Sequence, residues 1–423
     1  MRWAPVDHTT LLTLGIAALA TLGVIARPWA VPEYVWAVLG ALVLVVTGLL
    51  PWQNALAAAG KGSDVYLFLV GMMLLAEAAR REGLFDWLAA HAVRAADGSA
   101  KRLFLIVYTV GTLTTVFLSN DATAVVLTPA VYAATKAARV PPMPYLLICA
   151  FVANAASFVL PISNPANLVI FGAQMPPLVQ WLSLFTLPSL AAILITYAVL
   201  RFTQRRALRQ PVHDKVMLPP LSLPGHCVGA AIAVTGVILL MASAFDRPLG
   251  LPTFLCGMIA TGAVLMIGRE SPLPVLRDVA WGVLPLVAGL FILVEAVQET
   301  GALYAVVAHL RASAAAAPRG TALASGAIVA ALSNLMNNLP AGLLAATIGH
   351  SADLPLQVTA GILIGVDLGP NLSVTGSLAT ILWLIALRRE GETIAAWQFL
   401  KLGLVVMPPA LLAALLALAM QPL

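Results

Sequence analysis

Four short polar runs fall inside long apolar stretches of this chain: Ser119-Asn120-Asp121, Ser163-Asn164-Pro165-Ala166-Asn167, Asn337-Asn338 and Asp367-Leu368-Gly369-Pro370-Asn371. With Thr123, Ser373 and Thr375 beside them, they supply amides, hydroxyls and two carboxylates, each able to make several hydrogen bonds. That chemistry suits a small, hydroxylated solute that is neutral or weakly charged. Any single Ser, Thr or Asn here is as readily explained by satisfying interrupted backbone. The whole set, paired between two halves of the chain, points instead to a site. Asp121 and Asp367 are its sharpest members, because an ionised carboxylate within a bilayer is penalised by about 3 kcal/mol or more. Neither motif contains a Lys or Arg to pair with it. Each is a proton carrier, a cation ligand or a structural group, such as a cap on the helix beginning at Ala122. Proton carrying is the favoured role for at least one.

The elements that hold these residues are membrane helices. The chain is 61% hydrophobic and 10% charged, whereas a soluble domain carries about 25% charged residues. A surface without charge requires lipid as solvent, and continuous apolar runs exclude a β-barrel. A straight span needs about 20 residues. The pairs 103–118 with 121–138 and 321–335 with 337–350 are each split by a polar knot without room for a reversal in water. They read as re-entrant hairpins, 103–138 and 321–350. Runs 143–172 and 354–387 are too long for one helix and contain Pro, Gly and Asn, so they read as broken helices. A shift of 218 positions carries Gly71 onto Gly289, Glu77 onto Glu295, Gly83 onto Gly301, His91 onto His309 and Asn120 onto Asn338. Beyond the hairpins a shift of 204 carries Asn167 onto Asn371. Repeats with breaks at matching positions mark secondary transporters.

The expected architecture is an all-α polytopic membrane protein of two inverted-topology repeats. Residues 1–202 form the first, 203–223 a cytoplasmic linker and 224–423 the second. Each repeat has five transmembrane helices and one re-entrant hairpin, with broken helices at the midplane. Placing Arg205, Arg206, Arg209 and Lys215 in the cytoplasm leaves only Arg2, Lys61, Arg247, Arg311 and Arg319 outside, which fixes the orientation and puts both termini in the periplasm. The first apolar run stays as a membrane helix rather than a cleaved leader. Segments 84–97 and 302–316 are amphipathic arms along the two membrane faces. Glu77, with Arg80 and Arg81 three and four residues on, is an interfacial ion pair. Glu295 has no local basic partner. His91 and His309 are packing residues.

Other chemistry is not indicated. The net charge of +5 reflects basic loops between spans, not a nucleic-acid surface. Cys149, Cys227 and Cys256 form no metal or disulfide pattern. No phosphate-binding loop is present, so the chain is expected to be no ATPase, and no cofactor is called for.

The breaks also carry a family resemblance. Phe117-Leu-Ser-Asn-Asp-Ala-Thr-Ala-Val-Val-Leu-Thr-Pro129, Asn337-Asn-Leu-Pro340 and Gly365-Val-Asp-Leu-Gly-Pro-Asn-Leu-Ser-Val-Thr-Gly-Ser-Leu-Ala-Thr-Ile-Leu-Trp383 resemble the ArsB-type arsenite efflux permeases of the ion transporter superfamily. The resemblance spans nearly the whole chain and is weakest at 203–223. It implies efflux of arsenite and antimonite across the inner membrane in exchange for protons. It further implies elevator-type alternating access, a homodimer and, in some members, an arsenical-stimulated ATPase subunit on the cytoplasmic face. Carried over residue by residue, the substrate site is Asn120, Thr123, Asn164, Asn167, Asn338, Asn371, Ser373 and Thr375, with Asp121 and Asp367 coupling protons. A sodium/proton antiporter of the same superfamily is the alternative. The dicarboxylate branch has Ser-Asn-Thr at both tips; this chain does not, which argues against sodium-coupled carboxylate transport.

Overall fold

The computed structural model describes residues 8–172, 175–210, 212–213, 220–245 and 247–421. Arg2 and Lys215, used to orient the chain, and much of the linker lie outside the described residues. The described residues are helical, with no strand among them. Six helices are long and apolar enough to cross a membrane, or seven if Trp52–Lys61 and Ser63–Arg81, bent by 49°, make one span. The chain is therefore an all-α polytopic membrane protein. Shorter apolar helices include Glu33–Val46, which buries one face, and Met143–Ala155, which is buried throughout.

Two groups of helices can be told apart. In one, Ser63–Arg81 packs along Gly250–Gly268, and Val283–Glu299 packs along Glu33–Val46. Each pair joins a helix from one half of the chain to a helix from the other. Glycine makes the approach possible: a methyl group at Gly71 would overlap the Thr253 carbonyl. Small residues at a crossing let backbones touch, which is how helices adhere in lipid. For these interlocked pairs this group is termed the scaffold.

The second group holds both hairpins, both broken helices, and the long helices Leu178–Thr203 and Ala396–Ala419. Here Pro318–Met336 lies on Leu356–Leu368, and a methyl at Gly365 would overlap the Gly326 carbonyl. The first hairpin is Ala100–Phe117 followed by a helix from Asn120 to Ala137 that passes through a π-helical turn at Thr123–Leu127. The second is Pro318–Met336 followed by Asn338–Ala352.

Both breaks are longer than their Pro/Gly/Asn motifs. The first runs from Ala156 to Asn164, and within it Pro161 holds Leu160 in extended backbone (φ −125°, ψ 156°). Asn167, expected in the interruption, lies inside the helix Pro165–Phe171. The second break starts later than expected. A proline does not unwind residues well before it, so the helix holds through Leu368 and keeps Asp367 helical; regular structure resumes at Leu378. The helix Trp52–Lys61 has no counterpart in the sequence reading, because its Gln, Asn and Lys interrupt any apolar run. The arms are helices, Leu84–Ala95 and Tyr304–Ala316. His91 packs against Trp87, ring centroids 4.0 Å apart.

Candidate functional site

Each tip is a helix N-terminus made by an unusual residue. Ser119 (φ 155°, ψ 167°) and Asn337 (φ 72°, ψ 153°) are non-glycine residues with positive φ. Such backbone costs on the order of 1–3 kcal/mol and survives where surroundings dictate it. Each also caps the helix it opens. Ser119 Oγ accepts from Ala122 N at 3.3 Å, and Asn337 Oδ1 accepts from Leu339 N at 3.3 Å. The broken helices restart the same way. Asn164 Oδ1 accepts from Ala166 N at 3.0 Å, and Ser377 Oγ accepts from Thr380 N at 3.1 Å.

The four restarted helices converge. Asn120, Asp121, Asn164, Pro165, Asn338, Leu339, Leu378 and Ala379 line one cavity of about 10 Å³, whose wall is completed by Leu69 and Val283 of the scaffold. That is room for about one water molecule. Both halves of the chain contribute, and four helix N-termini, each with partial positive charge, end on it. It has no Lys, Arg, His or Cys on its wall.

The polar wall is three asparagine amides and one carboxylate. Asn338 Oδ1 is buried and unpartnered. Asp121 borders the cavity, and among the described residues its carboxylate has no hydrogen-bond or ion-pair partner. Asp367 stands one layer back, fully buried. Its Oδ1 accepts from Asn164 Nδ2 at 2.7 Å, and the Ser157 hydroxyl stands beside the same carboxyl. Asn164 thus links the cavity wall to the second acid. An unpaired buried carboxylate oxygen demands a proton or a cation.

The remaining residues singled out in the sequence lie behind the wall with their polar atoms largely engaged. Thr123 pairs with Thr115 at 2.8 Å. Asn167 Nδ2 donates to the carbonyls of Ser157, Leu160 and Pro161, tying the first break together. Asn371 Nδ2 donates to the Phe151 carbonyl at 3.0 Å. Ser373 donates to Asn334 Oδ1 at 2.7 Å, and Thr375 donates to the Asn334 carbonyl at 3.2 Å.

Two residues of this framework went unnoticed in the sequence. Asn154 donates to Asn371 Oδ1 at 3.1 Å, and Asn334 also donates to the Gly369 carbonyl at 2.9 Å. Both sit within one turn of a break, and an amide that close to the end of a largely apolar helix is the signal that marks them.

Two wider cavities flank the small one. On one side lies a vestibule of about 700 Å³ bordered by Lys61, Asp64, Arg247, Glu295, Thr347 and His350. On the other lies a cavity of about 100 Å³ that reaches Ser119, Asp121, Val125, Glu77 and Asp278. Ser63–Arg81 and Val283–Glu299 run past the site in opposite directions, so Glu77 marks one mouth and Glu295 the other. Glu77 takes two bonds from Arg80, at 2.6 and 2.8 Å, as its spacing predicted. Glu295 does have a basic partner: Lys61 Nζ stands 2.5 Å from its Oε2. The bend after Lys61 delivers it from a helix the sequence did not disclose.

Comparison with known proteins agrees with this architecture. A family model described as a citrate transporter matches residues 20–366. An arsenical pump membrane protein of Escherichia coli is 26% identical, covering 91% of this chain and 92% of its own. Another, from strain K12, is 27% identical with the same coverage. That of Yersinia enterocolitica is 26% identical over 80% of this chain and 82% of its own. The resemblance carried by the break motifs thus extends along most of the chain. The Alcanivorax borkumensis YdaH transporter superposes with a TM-score of 0.57 at 16% identity, covering 98% of both chains. Neisseria gonorrhoeae MtrF, described within a class of antimetabolite efflux pumps, gives 0.57 at 13% identity, covering 98% of this chain and 94% of its own. At such identities the likeness is one of fold.

Proposed function

This chain belongs to the citrate transporter family, and from that premise we propose that it exports trivalent arsenic and antimony oxyacids across the inner membrane in exchange for protons. One observation carries the reading: break segments from both halves meet at a single water-sized cavity with unpaired acceptor oxygens and no cationic wall residue. Once movement of the hairpin group widens this cavity beyond its one-water volume, a neutral trihydroxy acid brings hydroxyl donors to Asn338 Oδ1 and Asp121, and lone pairs to the helix N-termini. With no thiolate on the wall, the solute is held by hydrogen bonds and can be released. The names of the relatives at 26–27% identity point the same way.

In this reading Asn120, Asn164 and Asn338 touch the solute. Thr123, Asn167, Asn371, Ser373 and Thr375 hold the broken backbone that presents them. Asp121 exchanges the coupling proton on the cavity wall, and Asp367 serves as the inner acid through Asn164. The basic Arg80/Arg81 mouth faces the cytoplasm and the Lys61/Arg247 vestibule faces the periplasm, with both termini outside. The hairpin group moves against the scaffold, elevator fashion, so that the site opens to one mouth and then the other. A homodimer and a cytoplasmic arsenical-stimulated ATPase subunit belong to the same reading.

The family description and the four helix N-termini favour a second class, citrate-like carboxylates. Asp121 on the wall and the lack of any Arg or Lys there argue against it, because three carboxylates would meet an unpaired acid. Expression in cells without an arsenic pump decides among these readings. Arsenite and antimonite resistance, without a gain in sodium tolerance or citrate uptake, is the expected outcome. Sodium tolerance alone supports the antiporter, and citrate accumulation alone supports the carboxylate reading.

A further inference from the structure

The scaffold meets the small cavity with two side chains, Leu69 and Val283, and both are apolar. Every polar atom of that cavity comes from the hairpins and broken helices. From the geometry we infer that Leu69 and Val283 are specificity-determining residues: they form an apolar seal against which the polar site rests, and they keep water, protons and hydrated cations from crossing.

The cavities show how thin the barrier is. Val65, Leu343 and Leu168 border the vestibule, whereas Leu69, Leu339 and Pro165 border the small cavity. Each step is three or four residues along a helix, about one turn or ~5 Å. On the other side no turn intervenes, because Leu69, Asp121, Pro165 and Val283 border both the small and the 100 Å³ cavities. The molecule is thus an hourglass: about 700 Å³, then a waist of about 10 Å³, then about 100 Å³. Leu69 is 4% exposed, packed into the waist. A polar residue at either position would let water bridge the two wide cavities past Asp121, and a continuous file of water conducts protons. Apolar constrictions prevent this by dewetting. A hydrated cation cannot pass a one-water waist without shedding its shell, whereas a neutral hydroxylated acid gives up less hydration. The selectivity part of the inference rests on the proposed substrate; the seal itself does not.

The test uses purified protein in liposomes loaded with a pH-sensitive dye, under an imposed pH gradient and without arsenite. Leu69→Asn and Val283→Thr should dissipate the gradient about tenfold faster than the unaltered protein, since each removes the transfer cost of wetting one side chain. Leu69→Met, apolar and of similar volume, should hold the gradient. A small thiol reagent should also reach Ala379→Cys, on the waist wall, faster in the Leu69→Asn background. The inference is overturned if both polar variants hold the gradient as the unaltered protein does. It is equally overturned if Leu69→Met leaks as fast as Leu69→Asn, which would mean general loosening. Because no arsenite is present, a leak found in a protein that exports no arsenite keeps the seal and discards the substrate, and tight polar variants in an arsenite exporter do the reverse.

Discussion

Asp121 and Asp367 differ by one layer of side chains, and that layer assigns them different parts. Asp121 meets two cavities, whereas Asp367 meets Asn164. Asp121→Asn should abolish gradient-driven arsenite accumulation while preserving arsenite counterflow at equal pH, both measured in the same vesicles. At Asp367 the contrast between two substitutions is informative. Asp367→Asn keeps an acceptor for Asn164 Nδ2 and should leave thermal stability nearly unchanged. Asp367→Ala strands that donor in the core and should cost about 1–3 kcal/mol, read as a lower unfolding midpoint in detergent. Asn338→Ala removes an unpaired acceptor from the wall and should raise the KM for arsenite with little change in stability, because no partner is left behind. Of these residues the sequence disclosed identity, since a carboxylate or amide inside an apolar run is conspicuous. It did not disclose depth. Ser373 and Thr375 look as exposed to a solute as Asn338 does until Asn334, 39 and 41 residues away, is seen to engage them.

At the scale of elements, the tips and breaks act as four capped helix starts held in strained backbone. Asn337 at φ 72° tolerates glycine and resists β-branching. Asn337→Gly should therefore fold and retain partial transport, losing its cap and its bond to the Thr375 carbonyl, whereas Asn337→Val should lower yield and unfolding midpoint sharply. Gly365 supports the second broken helix by contact with the Gly326 backbone. Gly365→Val should separate Pro318–Met336 from Leu356–Leu368 and destabilise the protein, with the loss read in the same melting assay. The helix breaks at Ser119 and Asn337 were legible because two or three polar residues interrupt an otherwise apolar stretch there. The ends of the breaks were not, because a proline fixes where helical bonding must stop but not how far it can run beforehand. Trp52–Lys61 was missed for a related reason: its helical state comes from packing on Val283–Glu299, a contact with another half of the chain.

At the scale of the whole molecule, scaffold pairs drawn from both halves surround a polar group also drawn from both halves, with one waist between two mouths. Alternating access predicts that Thr347→Cys, in the large vestibule, reacts with a membrane-impermeant thiol reagent from the Lys61/Arg247 side. Val125→Cys, in the smaller cavity, should react only from the Arg80/Arg81 side. The central claim is that this architecture moves a neutral metalloid acid at the expense of a proton gradient. Arsenite uptake into inverted membrane vesicles, with and without an acidic lumen, tests it most directly. The account predicts accumulation that requires the pH gradient, collapses with a protonophore and disappears in Asp121→Asn. Equal uptake with and without the gradient, or uptake that follows only a sodium gradient, would contradict it.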